Sequence, residues 1–312
     1  MKKLLIIILA LGLLCAGCAG APTAAPEATE AAATPTPVPK ETPAPVVTIT
    51  APVRIEAGER KTADLNGDGR EETVSILVVE DDPGAEEDET IFYFVVADDT
   101  GKETLRQCSE PYTYAAYGYV ADMDADGRAE LFFSQTFASD DLITKCWRSE
   151  GEAFRGLCFL ESDCVTCVSD CYGLIDGFVE NGVRVSAYVN VLGTRVGLRD
   201  YTLSGDVFTP APQSAWDFTA TLPADDPDTW EFYTLKTAKP LPVTMDGKPD
   251  ELPAGTELLI TGTDAQSSAA FVTKDGVTGS IAIAEDVATG WGWAIADVPE
   301  QDYFEEYLPY AG

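Results

Sequence analysis

From about residue 49 onward, apolar and polar residues alternate in short runs broken by Gly, Asp, Asn and Pro. ETVSILVVE (72–80), IFYFVVA (91–97) and AELFFSQTF (129–137) are β-branched or aromatic at a period near two, which predicts strands. AAYGYVADMD (115–124) runs a strand directly into an acidic stretch. LITKCWRSEGEAFRGL (142–157) reads as a hairpin over Ser149-Glu150-Gly151. VRVSAYVNVLGTRVGLRDYTLSGDVFTP (183–210) supplies two long strands and a further hairpin. No helical period is sustained beyond three turns. The pattern predicts an all-β chain.

Two further segments punctuate this pattern. LPADDPDTWEF (222–232) is a polar joint with two prolines, and it separates a β domain at 49–210 from a second unit at 236–312, with 211–235 as linker. In the second unit, short strands alternate with Asp246-Gly247, Pro253-Ala254-Gly255 and Asp275-Gly276, the punctuation of a small barrel.

The N-terminus obeys different rules. MKKLLIIILALGLLCAGC joins a two-lysine head to an apolar run too short to span a bilayer, then to small residues. Residues 1–17 are expected to be a signal peptide, and Cys15-Ala16-Gly17-Cys18 resembles a bacterial lipoprotein processing box with Cys18 as the acylated residue. That resemblance implies a protein held to the membrane by an N-terminal lipid, on the extracytoplasmic face of the cell envelope. Residues 18–48, rich in Ala, Pro, Thr and Glu and without aromatics, read as a disordered tether.

Composition then narrows the chemistry. Fifty-three Asp and Glu against 20 Lys and Arg give a formal charge of −33, which repels nucleic acid and attracts divalent cations or a basic partner. The chain contains no histidine, so Ser-His-Asp and Cys-His catalysis and the usual histidine-ligated zinc site are excluded. Carboxylate-pair chemistry, as in glycoside hydrolysis, is not. Six cysteines remain outside the signal, four of them in CFLESDCVTCVSDC (158–171). In an exported chain an even number favours disulfides; reduced thiols and a metal cluster are the alternatives.

The most specific signal is a loop written twice. In DLNGDGREE, Asp64, Asn66 and Asp68 occupy positions 1, 3 and 5, Gly69 position 6, Arg70 position 7 and Glu72 position 9. In DMDADGRAE, Asp122, Asp124, Asp126, Gly127, Arg128 and Glu130 repeat those offsets. Alternate side chains can turn their oxygens onto one centre, the glycine allows the sharp turn, and the arginines would offer only their carbonyls, with side chains pointing away. Such an all-oxygen cage suits calcium. Position 12 is Ser75 or Phe133, and a strand follows instead of a helix, so neither loop is an EF-hand.

The loop-then-strand pattern resembles the calcium loop of FG-GAP and VCBS repeats, which build β-propeller blades of surface adhesins. With two loops where a closed propeller needs at least four blades, the resemblance implies a partial propeller-like domain or sheet stack. LPAGTEL (252–258) and FVTKDGVTGSI (271–281) resemble the bacterial Src-homology-3-like domain, although Ser280 stands where that family carries tryptophan. This resemblance implies a small barrel that contacts cell-wall peptide or glycan, with Trp291 and Trp293 as candidate ligand-binding residues. The sequence therefore points to a calcium-stabilised binding or adhesion protein and not an enzyme. A carboxylate-dependent glycan-active enzyme and a non-catalytic envelope assembly factor are the alternatives.

Overall fold

Alternating chains of this kind bury one face of each strand, and a central strand buries both. A computed structural model describes residues 49, 51–79, 90–137, 141–160, 170–171, 173–211, 215–221, 233–286, 292–308 and 310. Cys18, the rest of the 18–48 tether, Cys164, Cys167 and Trp291 lie outside the described residues. The protein is all-β. Its helical elements that lie wholly within the described residues are the short 3-10 turns Thr219–Thr221 and Glu300–Tyr303.

The first sheet is a four-stranded antiparallel meander in chain order: Arg60–Ala63, Glu72–Val79, Ile91–Ala97 and Glu103–Cys108. The second orders Val53–Glu56, Thr113–Ala121, Glu130–Phe137, Asp141–Glu150 and Asp170–Cys171, with Ala153–Gly156 also pairing Asp141–Glu150 as the expected hairpin. Between these sheets lies a core of Ile55, Val74, Ile76, Phe94, Val120 and Phe133. Phe94 packs 5.4 Å from Phe133 and stacks 5.8 Å from Trp147, centroid to centroid. The Glu130–Phe137 strand shows why its apolar run is continuous. Leu131 and Phe133 enter this core, while Phe132 points the other way, into a second core with Phe159, Val185, Tyr201 and Phe208.

A 12-stranded sheet carries most of the rest, including the long Gly182–Asn190 and Thr194–Ser204 hairpin, and Ala284–Glu285, Trp293–Ile295 and Val298–Pro299 form a separate three-stranded sheet. Trp216–Asp217, inside the stretch read as linker, pairs with Thr194–Ser204 on one side and Glu257–Thr263 on the other. One sheet thus runs from residues before 210 into residues beyond 236. The third core mixes Val189, Leu192 and Phe218 with Leu241, Ile260, Phe271, Ile281 and Tyr303. Its strands run Glu257–Thr263, Ser268–Thr273, Thr278–Ala282, Leu241–Met245, Lys248–Leu252. Where the sequence suggested a small barrel, none of the sheets closes into one. The last strand ends the sheet as an edge, and Lys248, Pro249, Asp250 and Glu251 are all exposed along it. Charge and proline on an edge oppose further pairing.

The cysteines divide. Cys158 is in a disulfide, whereas exposed Cys108 and buried Cys146 carry thiols. The expectation of a disulfide framework thus does not extend to these two. Cys146 sits in the second core, where a thiol behaves as a small apolar side chain.

Candidate metal centre

Both acidic loops are hairpin connections, and both are closed by the same pair. Ala63 pairs with Glu72 across the first, and Ala121 with Glu130 across the second. Each closing glutamate folds inward and accepts the backbone N–H at loop position 2: Leu65 to Glu72 Oε2 at 2.8 Å, Met123 to Glu130 Oε2 at 2.9 Å.

The remaining acids tie down the loop backbone in the same way. Asp64 accepts from Gly67 and Gly69 N–H at 2.8 and 2.9 Å, and Asp122 from Asp126 and Gly127 N–H, both at 3.1 Å. At position 3, Asn66 Oδ1 and Asp124 Oδ1 accept from the N–H of Asp68 and Asp126. At position 5, Asp68 and Asp126 accept from Arg70 and Arg128 N–H at 2.8 and 2.9 Å. Gly69 and Gly127 hold φ of +85° and +84°, the left-handed turn the motif requires at position 6.

The loops also lean on one another. Ala129 N–H donates to Leu65 C=O at 2.8 Å, and Asn66 Nδ2 reaches Gly151 C=O at 3.3 Å. A Cβ on Gly67 would stand 2.9 Å from Gly127 O. Leu65 and Ala129, one from each loop region, are buried in the first core. Two motifs read as separate repeats are one contiguous assembly.

Their charge environments differ. In the second loop, Arg148 donates through Nε to Glu130 Oε1 at 2.7 Å and through Nη2 to Asp124 Oδ2 at 2.8 Å. Its Nη1 reaches Gly205 C=O at 3.2 Å. Glu130 is wholly buried and Arg148 is buried with it. Burial pushes the Glu130 carboxyl above its usual range, with the Met123 N–H and Arg148 pulling against that. Arg128, expected to point away, instead folds its guanidinium onto the Asp126 carboxylate. Burial raises Asp126, but the bonds from Arg128 outweigh it and leave this carboxyl below the normal range. In the first loop the corresponding donor to the closing glutamate is a neutral amide, Asn66 Nδ2 to Glu72 Oε1 at 3.2 Å. Arg70 does point away, to exposed Asp99 at 3.6 Å. Burial raises the Glu72 carboxyl too, with the Asp68 and Asp64 charges adding to the rise.

Asp122, Asp124 and Glu130 bring three carboxylate oxygens within 4.8 Å of one another, which suits a hard cation. The single Arg148 guanidinium sits on both Asp124 and Glu130, so a cation there meets a partly neutralised cage. Sequence reasoning missed Arg148 altogether. Its signal was a charged residue in the run KCWRS, set in a strand between half-buried Trp147 and buried Ser149.

Of the aromatic candidates, Trp293 is described. It lies in the strand Trp293–Ile295, partly buried, and its Nε1 donates to Asn190 C=O at 2.7 Å. No helix among the described residues is long and apolar enough to cross a membrane. No protein-family model matches the chain, and neither a curated protein nor a solved structure matches it.

Proposed function

We propose that this chain is a lipid-anchored, calcium-stabilised protein of the cell envelope whose work is binding and not catalysis. The observation that carries the reading is the shared construction of the two loops: the same closing Ala–Glu pair, nearly the same internal hydrogen bonds, and direct contact between them. Calcium would be held by Asp64, Asn66, Asp68 and Glu72 with the Arg70 carbonyl, and by Asp122, Asp124, Asp126 and Glu130 with the Arg128 carbonyl. Bound there, an ion supplies charge compensation for clustered acids and locks the strand ends.

On this reading the two meanders are blade-like units of FG-GAP and VCBS type, and residues 236–312 an opened Src-homology-3-like unit. Cys18 carries the lipid, and the surface around Trp291 and Trp293 contacts cell-wall peptide or glycan. The acids of the loops are engaged by backbone N–H groups and guanidiniums, which supports a structural role for them over a catalytic one. The test is thermal unfolding with chelator, then with calcium or magnesium restored. Chelation should lower Tm and calcium should restore it better than magnesium, whose smaller octahedral shell suits these loops less. A melting curve indifferent to chelator would leave the loops as acidic turns. Mass spectrometry of the N-terminal peptide tests acylation at Cys18 separately.

A further inference from the structure

One charge in the second loop's cluster comes from outside the loop. Arg148 stands directly opposite Glu130 in the ladder, on the strand Asp141–Glu150, and is 5% exposed. The corresponding pairing beside the first loop ends at Thr73 opposite Ala97, and the residue after Ala97 is Asp98. Asp98 accepts from the N–H groups of Thr100 and Lys102 and so caps its own turn. The same register position thus carries a buried cation beside the second loop and an acid beside the first.

The Arg148 guanidinium bridges carboxylates as a metal ion would. Through Nε and Nη2 it joins Glu130 at 2.7 Å and Asp124 at 2.8 Å, and both belong to the trio whose oxygens lie within 4.8 Å of one another. Its Nη1 holds the Gly205 carbonyl at 3.2 Å, in the turn that joins Thr194–Ser204 to Val207–Pro210. Glu130 is wholly buried, so a metal-free loop without this arginine would keep a carboxylate that water cannot reach. Calcium makes the opposite demand. It gathers about six to eight oxygens, and if the guanidinium keeps Asp124 and Glu130 the loop retains only Asp122, Asp126 and the Arg128 carbonyl. Two cations at contact distance also repel strongly away from bulk water.

We infer, resting on the calcium role proposed for the loops, that Arg148 is a built-in counter-ion that competes with calcium for the second loop. The guanidinium and the ion hold Asp124 and Glu130 alternately, and calcium entry leaves Arg148 with Gly205 as its remaining contact. Each state keeps the buried Glu130 paired, so the second loop stays ordered with or without metal. The first loop has no such substitute, because Arg70 turns away to Asp99 and the Asn66 amide brings no charge. Linkage makes the competition reciprocal: whatever strengthens the arginine's hold weakens calcium at this loop by the same factor. Calcium at the second loop is therefore exchangeable, and its release is answered by a side chain instead of by unfolding.

The test is calorimetric titration of the chelator-stripped full-length chain, in nonionic detergent, with calcium chloride. The second site is the one lost in Asp126→Ala. Arg148→Met keeps the apolar stem and removes the charge; it should tighten calcium at that site at least about tenfold and leave the first site unchanged. Arg155→Met removes an equal charge from a neighbouring exposed pair with Asp206 and should move either site by less than about twofold. Thermal unfolding reads the same exchange without heats of binding. Arg148→Met should melt well below the wild type in chelator, and saturating calcium should narrow that gap. Should Arg148→Met not fold in either condition, Arg148→Lys, which keeps the charge and loses the fork, should tighten the second site about two- to fivefold. Second-site affinity unchanged in the folded variants, or a Tm gap that calcium leaves untouched, overturns the competition while calcium binding itself stands. Equal tightening in Arg155→Met assigns the effect to net charge and overturns it too. No calcium heat in any chain, with melting indifferent to chelator, removes the calcium reading and this one with it.

Discussion

The first and second acidic loops share nearly every backbone hydrogen bond and differ in what answers their charge. In the first, the buried Glu72 is met by the neutral Asn66 amide, and Arg70 leaves for Asp99. In the second, a fourth carboxylate replaces that amide, and two guanidiniums, Arg148 and Arg128, fold onto the acids. An Asp for an Asn at position 3 thus comes with an arginine from a neighbouring strand. The difference teaches that the motif encodes a backbone shape, whereas its electrostatics are set by residues outside it.

The largest expected effect breaks that compensation. Arg148→Ala strips Glu130, wholly buried, of its only ion-pair partner among the described residues. Removing one member of a buried pair costs about 3–5 kcal/mol. Arg70→Ala removes an exposed pair and should cost about 0–1 kcal/mol. Urea denaturation of both variants measures the gap. Two similar midpoints would mean that the guanidinium is not what makes the second loop different.

Calcium should act next, and unequally. A ligand that binds only the folded state stabilises it by about 2.7 kcal/mol per site at hundredfold excess over Kd. Convergence of three carboxylates favours the second loop, but charge favours the first. A unit charge about 4 Å away is worth roughly 4 kcal/mol at an effective dielectric near 20, so guanidiniums on the second cage outweigh its better convergence. Calorimetry should show two sites of different affinity, with Asp68→Ala removing the tighter and Asp126→Ala the weaker. Two equal sites would break the comparison.

Much of this was legible in the sequence, and the missing parts have a common cause. Period-two runs revealed the strands because burial of one face dictates them, and the hairpin at 149–151 followed from its turn residues. The glycines at position 6 were readable because few other residues accept that backbone. What stayed hidden depends on residues far apart in sequence. Arg148 reaching Asp124, Gly67 meeting Gly127 and Trp216 joining sheet strands on either side all arise from tertiary packing, and no local pattern specifies a partner. Closure of the C-terminal sheet was misjudged because a charged edge strand looks locally like any other strand of a small barrel.

Position 4 of the loops offers a smaller test. Gly67 has φ +77° and faces Gly127 O, while its counterpart Ala125 has φ +57°. A left-handed conformation costs an L-residue roughly 1–2 kcal/mol, and at Gly67 the added methyl also meets a backbone oxygen that cannot swing aside. Gly67→Ala should therefore destabilise by at least about 1–2 kcal/mol. Ala125→Gly should be neutral or stabilising by up to about 1 kcal/mol, because the strain it relieves is offset by added freedom of the unfolded chain. Equal and opposite responses in thermal unfolding would show that only strain matters; a larger loss at Gly67 shows that contact between the loops does too.

The smallest effect decides whether the loops are two sites or one. Independent repeats would make the losses from Asp68→Ala and Asp126→Ala additive, as for residues more than about 7–10 Å apart without shared partners. These acids flank the Gly67–Gly127 contact, and each holds the N–H of the residue two positions on, so releasing either loosens the backbone against which the other loop rests. A double-mutant cycle should return a coupling energy of about 0.5 kcal/mol or more. The sign is expected to make the double variant less destabilised than the sum, since the second substitution disturbs an interface the first has already loosened. The same cycle run in chelator separates coupling through the ions from coupling through the peptide contact, and persistence there would place it in the contact itself.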